Sequence, residues 1–170
     1  MKTRCSGKSG PKAVVLGLDG VPFTLLREYA RRGILPNVAN ILDHGFRLEQ
    51  MDASIPEVSS TSWTSFMTGV NPGEHGIYGF MELHQGTYKM YFPNFADVQA
   101  PTVWNILGKN TNGKVSSLER RYRDAIRGTY RSVVLNVPQT YPAEPMHGVL
   151  TAGFVAPDLR KATYPEEAYE

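Results

Sequence analysis

Six residues, Ala13-Val14-Val15-Leu16-Gly17-Leu18, form an apolar run that stops abruptly at Asp19-Gly20. A short continuous run of this kind suits a strand buried on both faces, as in a parallel sheet covered by helices. A carboxylate at the C-terminal end of such a strand stands where open α/β sheets place their ligands. The glycine after it lets another backbone approach closely. The plainer reading is that Asp19 caps the next helix, since Asp is a favoured cap. Position alone leaves both readings open.

Helical and strand signals alternate along the chain. Leu25, Leu26 and Tyr29 lie at helical spacing between Thr24 and Arg32, with Gly33 as the stop. Pro36 opens a second helix to His44, with Gly45 behind it. Phe46 to Ala53 is expected as a strand. A short helix is expected from about Thr61 to Thr68, ended by Gly69. Phe80–Leu83 and Tyr88–Phe92 flank a turn and predict a hairpin. Thr102–Leu107 predicts a helix closed by Gly108, and Ser132–Val137 and Val149–Val155 predict strands. The alternation implies an α/β class with a largely parallel sheet.

The chain of 170 residues is long enough for one domain with its own core. No stretch approaches the roughly 20 apolar residues that span a bilayer. Residues 1–12 are basic and rich in Gly and Ser, with no apolar segment of a signal peptide behind them, and are expected as a flexible leader. Gly7-Lys8-Ser9 ends like a P-loop but lacks the upstream glycine spacing and the preceding strand. Cys5 is the single cysteine, which rules out an internal disulfide and points to a reducing, cytoplasmic compartment. The net charge is +2, but Lys109, Lys114, Arg120, Arg121, Arg123, Arg127 and Arg131 crowd one segment beside only Glu119 and Asp124. The rest is mildly acidic, which is not a nucleic-acid-binding composition.

Two further stretches carry chemistry. In Pro56-Glu57-Val58-Ser59-Ser60-Thr61-Ser62-Trp63 a serine precedes a helix, where free backbone N–H groups favour an anion. The same four hydroxyl residues also suit ordinary helix capping. In Thr68-Gly69-Val70-Asn71-Pro72-Gly73-Glu74-His75-Gly76-Ile77 a helix stop leads into tight turns. A lone histidine between turn residues reads best as a hydrogen-bonded brace of the loop.

The order of these pieces resembles the type I phosphodiesterase/nucleotide pyrophosphatase branch of the alkaline phosphatase superfamily, nearest its phosphohydrolase/phosphomutase group. The resemblance rests on Leu18-Asp19-Gly20 and, about forty residues on, the run from Pro56 to Ile77. Pro101–Gly108, Asn136–Pro142 and Ala162–Pro165 are similar as well. It implies the N-terminal portion of an alkaline-phosphatase-like α/β/α sandwich. It further implies Asp19 as a metal ligand, Ser59 as both ligand and nucleophile, and Ser60 and Ser62 as phosphate-binding groups. Ser62 stands where nucleotide pyrophosphatases carry an Asn. The implied cofactors are two divalent ions, zinc first, with manganese or magnesium as substitutes. The implied substrate is a small phosphate ester, hydrolysed or transferred through a phosphoseryl intermediate.

The pattern breaks in two places. The remaining Asp and His ligands of a two-metal site are not found at family spacing after Gly79, so the second metal site is not encoded in this chain. The expectation is a fragment of one catalytic domain over 13–170 that is inactive alone. The alternative is an inactive domain of the same fold that binds a partner or an anion. Between Gly108 and Ser132, about 110–131, lies a basic insertion. Ser116-Ser117-Leu118-Glu119 has capping-box form, and Leu118, Tyr122 and Ile126 share a helical face up to Gly128.

Overall fold

The computed structural model describes residues 12–110, 112–114, 116–122 and 129–169. Residues 1–11 of the expected leader lie outside the described residues, as do Ile126 and Gly128 of the expected basic helix. The chain forms two compact units, Met1–Met51 and Asp52–Glu170.

The first unit holds α1 (Phe23–Arg31) and α2 (Pro36–Asp43). Both fall within a residue or so of expectation, because their apolar spacing and glycine stops act locally. Gly33 and Gly45 take φ of 71° and 87°, where a side chain would be strained. Pro36 at the start of α2 has no N–H to leave unpaired. The expected strands at 13–18 and 46–53 are corrected: neither segment has strand structure. Val14 is 94% exposed, and Leu16 is 83% exposed. An apolar run becomes a strand only where neighbouring strands take its backbone groups. Among the described residues none pairs with these.

The second unit contains α3 (Ser59–Thr68), α4 (Pro72–His75), α5 (Val103–Leu107) and α6 (Ser117–Tyr122). Its hairpin is β1 (Glu82–Leu83) with β2 (Met90–Tyr91), antiparallel, with Leu83 opposite Met90. A three-stranded sheet has the order β3 (Ser132–Val137), β4 (Gly148–Ala152), β5 (Thr163–Tyr164). The β3–β4 pair is parallel and the β4–β5 pair antiparallel, so the sheet described is mixed.

The core lies against one face of this sheet. Met67 of α3, Ile77, Phe95, Trp104 of α5, Val134 of β3 and Leu150 of β4 pack together in it. Val134 is buried, whereas Val133 and Leu135 on the opposite face of β3 are exposed. The polar interruption of β3 has a structural reason. Asn136 adopts φ 57° and is skipped in the register, which passes from Leu135↔Thr151 to Val137↔Ala152. An extra residue in the left-handed region is a bulge, and Asn tolerates that conformation better than the valines around it. Thr140 then donates from Oγ1 to Val137 O at 2.6 Å and accepts from Gly153 N at 3.2 Å, fastening the chain where β3 ends.

The described part of the basic segment is tied to this unit at several points. Lys114 pairs with Glu144 at 3.1 Å in a half-buried position and lies 5.4 Å from the centre of the Phe95 ring. Asn112 donates to the same carboxylate at 3.2 Å. Ser117 gives both its backbone N–H and its hydroxyl to Glu74, the latter at 2.8 Å.

Candidate active site

Helix α3 begins at Ser59, two residues earlier than its spacing suggested, and Ser59 is its first residue. The N-cap is Val58, whose side chain cannot cap, and no side-chain cap bond is made. Ser62 N–H reaches Val58 O at 2.8 Å as the first regular helical bond. The backbone N–H groups of Ser59, Ser60 and Thr61 therefore have no acceptor within the helix. Such a helix start favours negative charge. The capping alternative for Ser59 is not the arrangement found.

The same holds for Asp19. The N-cap of α1 is Pro22, again without a side-chain cap bond, so Asp19 is not the capping residue of that helix. Asp19 lies on an exposed turn closed by Gly20 at φ 67°. Asp19 and Ser59 belong to different compact units.

The other hydroxyls of α3 divide by partner. Ser60 and Thr61 are fully buried, and neither Ser60 Oγ nor Thr61 Oγ1 has a hydrogen-bond partner. Leaving a buried polar atom unpaired costs about 1–3 kcal/mol, so α3 carries this cost from its first turn. Thr64 and Thr68 each bond back to the carbonyl four residues earlier at 2.6 Å. Ser62 Oγ lies 2.8 Å from Ser54 Oγ. Ser54 gives its own proton to Pro56 O at 3.1 Å, so Ser62 must be the donor in that pair. Ser62 would have to release Ser54 before donating to a phosphoryl oxygen.

His75 forms a brace. Its ring is buried, Nδ1 accepts from Ile77 N–H at 3.1 Å, and Nε2 lies 2.9 Å from Ser65 Oγ. Since Nδ1 accepts, the ring proton sits on Nε2 and is donated to Ser65. This is the wrong direction for activating Ser65 as a nucleophile, because a general base must take the hydroxyl proton. Burial pushes the pKa of His75 below its ordinary value, and the nearby Glu82 carboxylate partly offsets this. Glu82 in turn accepts Tyr78 N–H at 2.8 Å and the Tyr91 hydroxyl at 3.3 Å. Glu74 is held below the usual carboxylate range, first by the Ser117 N–H, then by its hydroxyl and by Arg120.

The pairings of Ser65 with His75 and of Glu74 with Ser117 had no signal in the sequence. The partners lie 10 and 43 residues apart, beyond the reach of helical or strand periodicity. Among the described residues no three of His, Cys, Asp and Glu stand close enough together to hold a metal ion. No helix is long and apolar enough to cross a membrane, among the described residues.

Residues 13–170 match the type I phosphodiesterase/nucleotide pyrophosphatase family. An ectonucleotide pyrophosphatase/phosphodiesterase of Caenorhabditis elegans is 34% identical over 128 residues, which cover 69% of this chain and 14% of that relative. No solved structure matches the chain. The match runs through Asp19, Ser59 and the loop of His75 alike, and the chain belongs to the type I phosphodiesterase/nucleotide pyrophosphatase family.

Proposed function

We propose that this chain supplies the nucleophile-bearing helix of a phosphoric ester hydrolase, with Ser59 as the attacking residue. The observation that carries the reading is the position of Ser59. It opens α3 behind a valine that cannot cap, within the stretch matching a phosphodiesterase family. In-line attack by Ser59 Oγ forms an O–P bond as the ester O–P bond breaks, and the alcohol leaves with the proton that the Ser59 hydroxyl gives up. Water then releases phosphate from the phosphoserine, or a second hydroxyl takes it in a transferase. The N–H groups of Ser59, Ser60 and Thr61 favour the charge that gathers on the phosphoryl oxygens.

The family resemblance implies two divalent ions, zinc first, with Asp19 and Ser59 among their ligands. The described residues do not fit such a centre by themselves, since a catalytic metal normally takes three or more protein ligands. In this reading the other ligands lie outside these 170 residues, and the described sheet is part of a larger, mostly parallel α/β/α sandwich. The same shortage of ligands favours the second reading, an inactive domain that binds an anion or partner at α3. The substrate proposed is a small phosphate ester. The worm relative is named as acting on nucleotides, but Ser62, engaged with Ser54, stands where the resemblance implies an Asn. The single Cys5 favours a cytoplasmic, reducing location, which cell fractionation tests against the ectoenzyme name of the relative.

The test is made in the protein that turns over bis-p-nitrophenyl phosphate. Ser59→Ala is expected to reduce kcat by several orders of magnitude with the thermal midpoint nearly unchanged. Ser59→Thr, which keeps the hydroxyl, is expected to retain substantial activity. A near-normal kcat in Ser59→Ala would remove Ser59 from the chemistry and place the nucleophile at another residue.

A further inference from the structure

We infer that Glu74 and His75 act as positioning residues for the Ser59 helix, coupling it to the basic segment through the single turn of α4. These neighbours send their side chains to two different elements. His75 donates to Ser65 in the middle of α3, while Glu74 accepts two bonds from Ser117 at the start of α6. The turn between them is closed on itself. Glu74 and His75 N–H both reach Asn71 O, at 2.9 and 3.1 Å, and Gly76 N–H reaches Pro72 O at 2.9 Å. His75 O accepts from Gln99 N–H at 3.0 Å, and Ile77 N–H locks the imidazole. Gly76 has φ 81°, and a Cβ there would meet the Gln99 side chain at 2.9 Å, so the turn has little freedom to change shape.

The far side of the link is also fixed. The segment leading into α6 is held by the Lys114–Glu144 pair and by Asn112 on the same carboxylate. Glu144 lies in the connection between β3 and β4. Direct contacts thus join Glu144 to Lys114, Ser117 of α6 to Glu74, and His75 to Ser65 of α3, while chain continuity links Lys114 to α6 and Glu74 to His75. The inserted segment is the far anchor of the helix that opens with Ser59. Its catalytic significance rests on the reading of Ser59 above, but the coupling itself does not.

Hydrogen exchange on the intact chain tests the coupling without substrate. Glu74→Ala is expected to speed exchange of the amides from Ser62 to Thr68 by about 2- to 10-fold, the equivalent of one net hydrogen bond in local opening. Ser117→Ala removes the hydroxyl half of the contact and keeps the backbone N–H on Glu74, so it is expected to speed exchange in α3 by less than Glu74→Ala does. Glu74→Gln keeps an acceptor and is expected to restore near-wild-type exchange in α3. Glu28→Ala, which removes an exposed ion pair on α1, serves as the control and is expected to leave α3 unchanged. Adding Ser65→Ala to Glu74→Ala is expected to give less than the sum of the single effects on α3. Faster exchange confined to α6 and its flanks, or strictly additive effects, would overturn the coupling. Failure of Ser59→Ala to alter turnover would instead overturn the chemistry and leave the coupling standing.

Discussion

A buried imidazole that accepts at Nδ1 and donates at Nε2 has no place for a second proton. Protonating His75 would turn Nδ1 from acceptor to donor against the N–H of Ile77, in a site whose burial already disfavours charge. Its folded pKa lies below the ordinary histidine value of 6.5, so the unfolded chain binds protons first as pH falls. Stability is therefore expected to be full above about pH 6.5 and to decline below it. Glu74, also lowered, is expected to add a second loss as pH falls below its ordinary 4.5. Thermal midpoints taken from pH 7.5 to 4 in wild type and in a folded His75→Gln variant check this. The upper part of the decline should vanish in the variant, and a wild-type curve that stays flat between pH 6.5 and 5 would contradict it. Gly148 offers a steric test of the same scale. A Cβ there would come within 1.8 Å of Ser132 O at φ 150°. Gly148→Ala is expected to separate β3 from β4 or unfold the chain, seen as loss of the cooperative thermal transition.

Elements defined by their own residues were legible from sequence, and elements defined by partners were not. Helices α1, α2 and α5 carry their stops and spacing locally, and they appear close to the expected places. The hairpin is present but shorter, with only two pairs in register. The run at 13–18 is as apolar as β3, yet β3 is a strand because β4 accepts and donates along its edge. Nothing in either hexapeptide distinguishes the two cases. Four consecutive hydroxyl residues look like a cap and put the expected start of α3 two residues late, whereas Val58 holds the cap position. At α5 the cap is real: Thr102 Oγ1 accepts from Asn105 N–H at 3.3 Å and donates to its side-chain oxygen at 2.7 Å. Thr102 is also buried. Thr102→Ala is expected to lower unfolding stability by about 1–2 kcal/mol, the range for loss of a good N-cap. Chemical denaturation measures it. Thr102→Ser should recover most of the loss, because the hydroxyl is what α5 uses.

Catalysis by phosphoryl transfer needs a nucleophile, an environment for the developing charge, and groups that hold phosphorus in line. In the proposed reading the first two lie at the start of α3, and the described residues do not supply the third. Three of the carboxylates this chain offers near the matched motifs are engaged elsewhere: Glu74 with Ser117, Glu82 with Tyr78 and Tyr91, Asp97 with the N–H of Asn94. Its buried histidine is occupied at both nitrogens. A divalent ion would thus find no ready set of three such side chains among the described residues. The isolated 170-residue chain is accordingly expected to bind Zn²⁺ or Mn²⁺ only weakly. It is also expected to hydrolyse p-nitrophenyl phosphate and bis-p-nitrophenyl phosphate no faster than its Ser59→Ala variant. Titration calorimetry reads the first, and product release with each metal reads the second. Turnover above the variant would mean that Ser59 works with ligands this fold hides from view. Tight metal binding that survives Asp19→Asn would relocate the metal site away from the position the family resemblance implies. Weak binding and no turnover, together with activity in a longer protein that loses it on Ser59→Ala, would divide the labour as proposed: the helix and its nucleophile here, the metal ligands elsewhere.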